Sequence, residues 1–294
     1  MVTQARWQIL FAYLAFILIA SVLAIVQRWV KPKTRSEGLW RKYPAYILIN
    51  LTFLLVSWSP PAWHALSLLL AVLGGLAAWE ILRPLTAKPF PLSFITSGLV
   101  FAAGWLSQMD WLAWWLFILL ILVALNTWMG PGNDFGRRTL AMVGSVVFLP
   151  LCLAAYLWIA ATDPGGAHVA FLYLTVATND ALAQITGQLF GRKQLASRIS
   201  PAKTVEGALG GILFAGAMGF ALAGAIGWTY LLGTCLGLVI GMAGLIGDLT
   251  ASNWKRVLGL KDFSKLLGAQ GGVLDRFDGL IFAAPVFYLL LRLL

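Results

Sequence analysis

The chain has 294 residues, of which 60% are hydrophobic and only 11% charged, with a mean hydropathy of +0.85 and a net charge of +10. A soluble domain carries about 25% charged residues, so this composition excludes an ordinary soluble enzyme and reads as a polytopic membrane protein. The excess of positive charge does not imply nucleic acid, because its placement follows topology. Cys152 and Cys235 both fall in apolar runs and read as small buried hydrophobes, with neither metal spacing nor a disulfide framework.

Apolar runs long enough to cross a hydrocarbon core of about 30 Å can be drawn near 7–27, 43–58, 63–82, 91–108, 111–127, 139–160, 168–189, 205–227, 229–248 and 276–294. Backbone groups in lipid must be satisfied within their own segment. The fold class is therefore all-α, a polytopic membrane bundle of about ten transmembrane helices. The first run has Arg6 before it and Arg28 behind it, the pattern of a retained helix rather than a cleaved signal peptide. When the connections are alternated between sides, every basic residue except Arg6 and Arg292 falls on one side. The positive-inside rule puts that side in the cytoplasm and both termini on the outer side. The tryptophans near span ends (Trp7, Trp29, Trp58, Trp63, Trp128 and Trp228) read as interface anchors.

The chain changes character near residue 170. Residues 1–169 form an N-terminal set of helices rich in leucine and tryptophan. Residues 170–294 carry two polar cytoplasmic loops, 187–207 and 248–276. Small residues recur every four positions at Gly207, Gly211, Ala215 and Gly219, and again at Gly233, Gly237 and Gly241. That spacing lets helices approach closely in lipid.

The charged stretch from Gly247 to Asp278 is the feature that most needs a reason. Asp248 closes the ninth predicted span, and Asp275 and Asp278 open the tenth, so all three are expected at one depth on the cytoplasmic rim. Asp275 and Asp278 in a first helical turn would also favour the helix dipole, but an acid at the end of its own helix, as Asp248 is expected to be, gains nothing from it. Converging carboxylates suit a hard divalent cation, and Lys255, Arg256, Lys261 and Lys265 between them suit phosphates. In the other loop, Arg192, Lys193, Arg198 and Lys203 could be topology signals alone. Yet Ser200-Pro201, Lys203-Thr204 and Glu206 read as a helix start of the kind that binds phosphate. Asp180 inside the seventh span is a site candidate by its cost in lipid, although a hydrogen-bonded structural acid remains the competing reading. Glu80, at a cytoplasmic span end, is read as a snorkelling acid without a role. Both histidines, His64 and His168, fall on the outer side, so the nucleophile should need little deprotonation. A phosphate monoester, with a second pKa of about 6, meets that condition.

Ser252-x-x-Lys255-Arg256, then Lys261-Asp262, then Gly271-Gly272-x-x-Asp275-Arg276-x-Asp278 resembles the signature of phosphatidate cytidylyltransferases, also called CDP-diacylglycerol synthases. Gly247-Asp248-Leu249, Asp180, Phe190-Gly191-Arg192 and Ser200-Pro201-x-Lys203-Thr204-x-Glu206-Gly207 fit the same resemblance, which covers roughly residues 170–294. It implies an integral protein of the bacterial inner membrane that makes CDP-diacylglycerol and pyrophosphate from CTP and phosphatidate with Mg²⁺, on the cytoplasmic side, as a homodimer. It further implies that Asp248 and Asp275 hold metal with Asp278 in support, and that Lys255, Arg256 and Arg276 meet phosphates. Ser252 would line the same pocket, with Lys261, Asp262, Lys203, Ser200, Arg192 and Asp180 as further substrate-binding candidates. Two departures stand out: Gln270 occupies the place of a usual histidine, and Asn179 and Gln184 flank Asp180 where the pattern differs. They keep open a CTP-dependent transferase or kinase acting on another lipid phosphate or a polyprenol. A transporter is the third reading, but it predicts charge near the midplane rather than at the rim.

Overall fold

The computed structural model describes residues 7–18, 21–22, 47–48, 51–52, 62–84, 93–98, 100, 149–162, 166–268 and 271–294. The predicted spans near 43–58 and 91–108 lie mostly, and that near 111–127 wholly, outside these residues. So do the connection 28–42, Asp110 and Gln270.

The described chain is mostly helical, as the sequence requires. In order come α1 (Trp7–Leu18), α2 (Ala62–Leu82), α3 (Leu149–Thr162), α4 (Ala167–Phe190), a two-stranded hairpin of β1 (Gln194–Ala196) and β2 (Ser200–Thr204), then α5 (Val205–Ile226), α6 (Tyr230–Val257) and α7 (Leu274–Leu293). The antiparallel hairpin pairs Gln194 with Thr204 and Ala196 with Ser200. It is the one departure from an all-α fold among the described residues, and it turns part of the expected 187–207 loop into a folded arm.

The expected loop 248–276 also needs correction, because α6 continues to Val257 and α7 starts at Leu274. Nothing in Leu249–Val257 breaks a helix, and Lys255 and Arg256 in its last turn complement the helix dipole. The stop comes at Gly259, whose φ of 69° is left-handed. The Leu260 N–H returns to the Lys255 carbonyl at 2.7 Å, closing the helix in the glycine-terminated manner. Asp248 therefore lies inside a helix, not at its end.

Packing runs α2 on α3, α3 on α7, α7 on α6, and α6 on α5, with α4 against α5 and α6. Large side chains fill the α3–α4–α7 region, where Tyr156, Phe171 and Phe287 are fully buried. His168 stacks on Trp228 at 5.2 Å, and Phe171 stacks on Phe287 at 5.5 Å. Between α5 and α6 the contact is made by glycines, while Leu209, Leu213, Phe214 and Phe220 on α5 and Leu231, Met242 and Ile246 on α6 face outward. Small residues inside and large apolar residues outside suit helices packed in hydrocarbon. These two helices, 22 and 28 residues long with a hydropathy of 1.9 each, are long and apolar enough to cross a membrane.

Candidate active site

The site forms where α4, α6 and α7 come together beside the hairpin. On α6, Asp248, Ser252 and Lys255 are spaced four and three residues apart, so they share one face. The Ser252 hydroxyl reaches back to Asp248 Oδ1 at 3.5 Å. Beneath Asp248, Gly247 lets α7 come close: a Cβ there would stand 2.8 Å from the Asp278 carbonyl. That approach sets Asp278 against Asp248. On α4, Asp180 takes a hydrogen bond from Asn179 Nδ2 at 3.1 Å and is exposed.

Asp180, Asp248 and Asp278 interact electrostatically with one another and with Lys203, which reaches in from β2. Lys203 forms an ion pair with Asp248 Oδ2. Arg276 from α7 adds a positive field at Asp180, and Lys255 adds one at Asp278.

Asp275 occupies a neighbouring position. Its Oδ1 accepts from Lys255 Nζ at 2.8 Å, and its Oδ2 accepts from the N–H groups of Phe263 at 2.9 Å and Gly272 at 2.8 Å. The pair is well covered, with side-chain exposures of 14% for Lys255 and 5% for Asp275. Arg256 braces the surrounding loops, donating from Nε to the Ile199 carbonyl at 3.1 Å and from a terminal nitrogen to the Leu260 carbonyl at 3.4 Å. Arg192, Lys261 and Asp262 are exposed on those loops and take no part in the ion pairs among the described residues, and Ser200 opens β2.

The helix start expected after Ser200 is present at Thr204, whose hydroxyl accepts from the Gly207 N–H at 3.1 Å and caps α5. Glu206 Oε2 accepts from the backbone N–H groups of Arg192 at 2.9 Å and Lys193 at 3.2 Å, which closes the hairpin onto the helix. Thr204→Ala is expected to cost about 1 kcal/mol, the usual worth of an N-cap, read as a lower melting temperature in detergent.

The carboxylate set fits a hard cation in chemistry, since all of its donors are oxygens. Among the described residues, however, no three histidine, cysteine or acidic side chains are arranged as a ready metal cage. Mg²⁺ does not require one: it is usually held by one or two carboxylates and completed by water and substrate phosphates.

Glu80, expected from the sequence to be a snorkelling acid without a role, proves otherwise. It does not snorkel: it is fully buried and takes three hydrogen bonds from the segment that leads into α7. The signal that could have found it is the one applied to Asp180, an acid within an apolar run.

These observations define a helical protein with two membrane-length apolar helices and a cluster of carboxylates and lysines drawn from separate elements. Comparison with known proteins narrows the class. The profile of the cytidylyltransferase family matches residues 39–294, and the chain belongs to that family. It is 42% identical over 161 residues to a phosphatidate cytidylyltransferase of Aquifex aeolicus (strain VF5), covering 54% of this chain and 58% of that protein. It is 28% identical over 242 residues to a phosphatidate cytidylyltransferase of Bacillus subtilis (strain 168), covering 77% and 88%. It is also 33% identical over 179 residues to the uncharacterized protein YnbB of Escherichia coli (strain K12), covering 59% and 60%. Two of these three matches thus span only about three fifths of the relative's length.

Proposed function

We propose that this protein transfers the cytidylyl group of CTP to phosphatidate, giving CDP-diacylglycerol and pyrophosphate. The observation that carries this reading is the convergence of Asp180, Asp248 and Asp278 from three helices with Lys203 and Lys255 beside them. The cluster is assembled from the residues by which the sequence resembles phosphatidate cytidylyltransferases.

In the reaction a phosphate oxygen of phosphatidate attacks the α-phosphorus of CTP. The bond from that phosphorus to the bridging oxygen of the β-phosphate breaks, and pyrophosphate leaves with the electron pair. No histidine side chain is described at the site, and none is needed, because a phosphate monoester with a second pKa of about 6 is already largely dianionic at neutral pH. The chain's contribution is positioning and charge, which dominate such transfers. Lys203, Lys255 and Arg276 offset charge on the phosphates, Ser252 lines the α6 face, and Arg192, Ser200, Lys261 and Asp262 are the further substrate-binding candidates, at the hairpin and in the loop after α6. Asp248 and Asp278, with Asp275 beside Lys255 as the third candidate, are the residues that would hold Mg²⁺. Bound there, the metal would supply Lewis-acid neutralisation of the phosphate oxygens.

The same reading makes the chain a bundle of about ten spans with both termini outside and the site on the cytoplasmic face of a bacterial inner membrane. Acyl chains would enter sideways from the leaflet, and a homodimer is the expected assembly. The observations behind it are the one-sided distribution of basic residues and the outward apolar faces of α5 and α6. Gln270 in the place of the usual histidine is the reason for testing other lipid phosphates and polyprenols as acceptors.

The test is pyrophosphate release by purified protein in lipid vesicles given CTP, Mg²⁺ and phosphatidate. Release that requires all three, stops on chelation, and falls at least about 100-fold in Asp275→Asn is the expected result. A folded protein that releases no pyrophosphate with phosphatidate or any other lipid phosphate would overturn the reading.

A further inference from the structure

We propose that Glu80 and Arg83, at the C-terminal end of α2, are positioning residues of the transferase site. The proposal rests on the function just described, and it starts from a defect at the start of α7. Its N-cap residue, Val273, has no capping side chain, so the N–H groups of Val273 and Leu274, at the start of the helix that carries Asp275, Arg276 and Asp278, need an acceptor from elsewhere. Glu80 supplies it from far away in sequence. Its Oε1 accepts from the Val273 N–H at 2.8 Å and from the Ser264 hydroxyl at 2.5 Å, and its Oε2 accepts from the Leu274 N–H at 2.9 Å.

A buried carboxylate at a helix N-terminus is favoured by the helix dipole as well as by these bonds. Room for it comes from Gly272, where any Cβ would run into the Glu80 carboxyl group. Arg83 makes a second tie, donating to the Phe263 carbonyl at 2.6 Å. Phe263 in turn faces the site: its N–H binds Asp275 Oδ2 at 2.9 Å, and Lys255 Nζ lies 5.5 Å from the centre of its ring. Phe263, Ser264, Val273 and Leu274 are thus gripped by α2 on one side, and Phe263 and Gly272 by the Asp275–Lys255 pair on the other. Glu80 and Arg83 touch neither that pair nor the carboxylate cluster. They act through the loop, fixing where Asp275 and Lys255 stand.

The experiment compares the full-length protein with Glu80→Gln and Arg83→Met in vesicles, by hydrogen–deuterium exchange and by steady-state kinetics. Arg83 is exposed, so its variant keeps the core intact even if Glu80→Gln folds poorly. Loss of exchange protection confined to 263–275 is expected, with the melting temperature of Arg83→Met unchanged. The kcat should fall about tenfold or more while KM for CTP stays within about twofold, because a displaced group of this kind costs turnover rather than binding. Unchanged kcat and unchanged protection in Arg83→Met would overturn the proposal, as would a loss of protection spread over the whole chain. Wild-type protein without turnover would sink the transferase reading instead, and the exchange pattern would still decide whether α2 holds the loop.

Discussion

Lys255→Ala is expected to abolish turnover and to lower the melting temperature in detergent by roughly 10 °C, from a loss of about 3 kcal/mol. The reason is the environment of its partner. Asp275 is only 5% exposed at the side chain, and removing one member of a buried pair leaves a charge that water cannot reach, at a cost of about 3–5 kcal/mol. The lower end applies because Asp275 Oδ2 keeps its hydrogen bonds from Phe263 and Gly272. Adding Asp275→Asn to Lys255→Ala should therefore recover much of the stability and none of the activity. That separation identifies the stability cost with the unpaired charge and the loss of turnover with the missing groups. Lys203→Ala provides the contrast. Its side chain and that of Asp248 are less covered, at 22% and 32%, so turnover should fall with a smaller loss in melting than Lys255→Ala causes. If both variants melt alike, the difference in burial between the two pairs is not the controlling factor.

Much of this site was legible because its chemistry is written in short intervals. Asp248, Ser252 and Lys255 follow helical spacing, and Asp275 and Asp278 lie three residues apart, so a reader of the sequence could place each group on a face before knowing the fold. Thr204 and Glu206 likewise announced a helix start that the structure places at Val205. The extent of α6 is not legible, for a different reason. Polarity suggests a loop after Asp248, whereas the helix runs on through Ser252 to Val257 and stops at Gly259, where the backbone is left-handed. Charge reports where water or substrate is, not where a helix ends. The hairpin escaped because its strands are three and five residues long, too short for an alternating pattern to stand out. Glu80 was hidden more deeply. Its partners lie more than 180 residues away, and no local pattern encodes a helix cap delivered from another helix.

Gly237→Ala should cost about 1–3 kcal/mol and Gly237→Val more, although each adds only apolar atoms to an apolar helix. A Cβ at Gly237 would collide with the Ala215 carbonyl oxygen on α5, and would lie 3.0 Å from the Cα of Gly216. These obstacles are backbone atoms, which cannot rotate away, so the two helices must separate. The fit is reciprocal: a Cβ at Gly233 would lie 2.5 Å from the Gly219 carbonyl oxygen and 2.6 Å from the Cβ of Ala223. Gly224 on the same α5 serves as the control, since its nearest neighbour to an added Cβ is the Tyr230 hydroxyl at 3.7 Å. Gly224→Ala should be neutral or stabilising by up to about 1 kcal/mol, the ordinary helix-interior gain. Melting of the three variants in detergent, alongside pyrophosphate release, measures both ends of the argument. Asp248 lies on α6 eleven residues beyond Gly237, about 16 Å along the axis, and Lys203 approaches it from the strand that runs directly into α5. Prying α5 from α6 therefore moves the two halves of the Lys203–Asp248 pair apart, and turnover in Gly237→Ala should fall further than the loss of folded protein accounts for. Equal losses of activity and folded protein would show instead that the glycine seam supports the bundle without setting the geometry of the site.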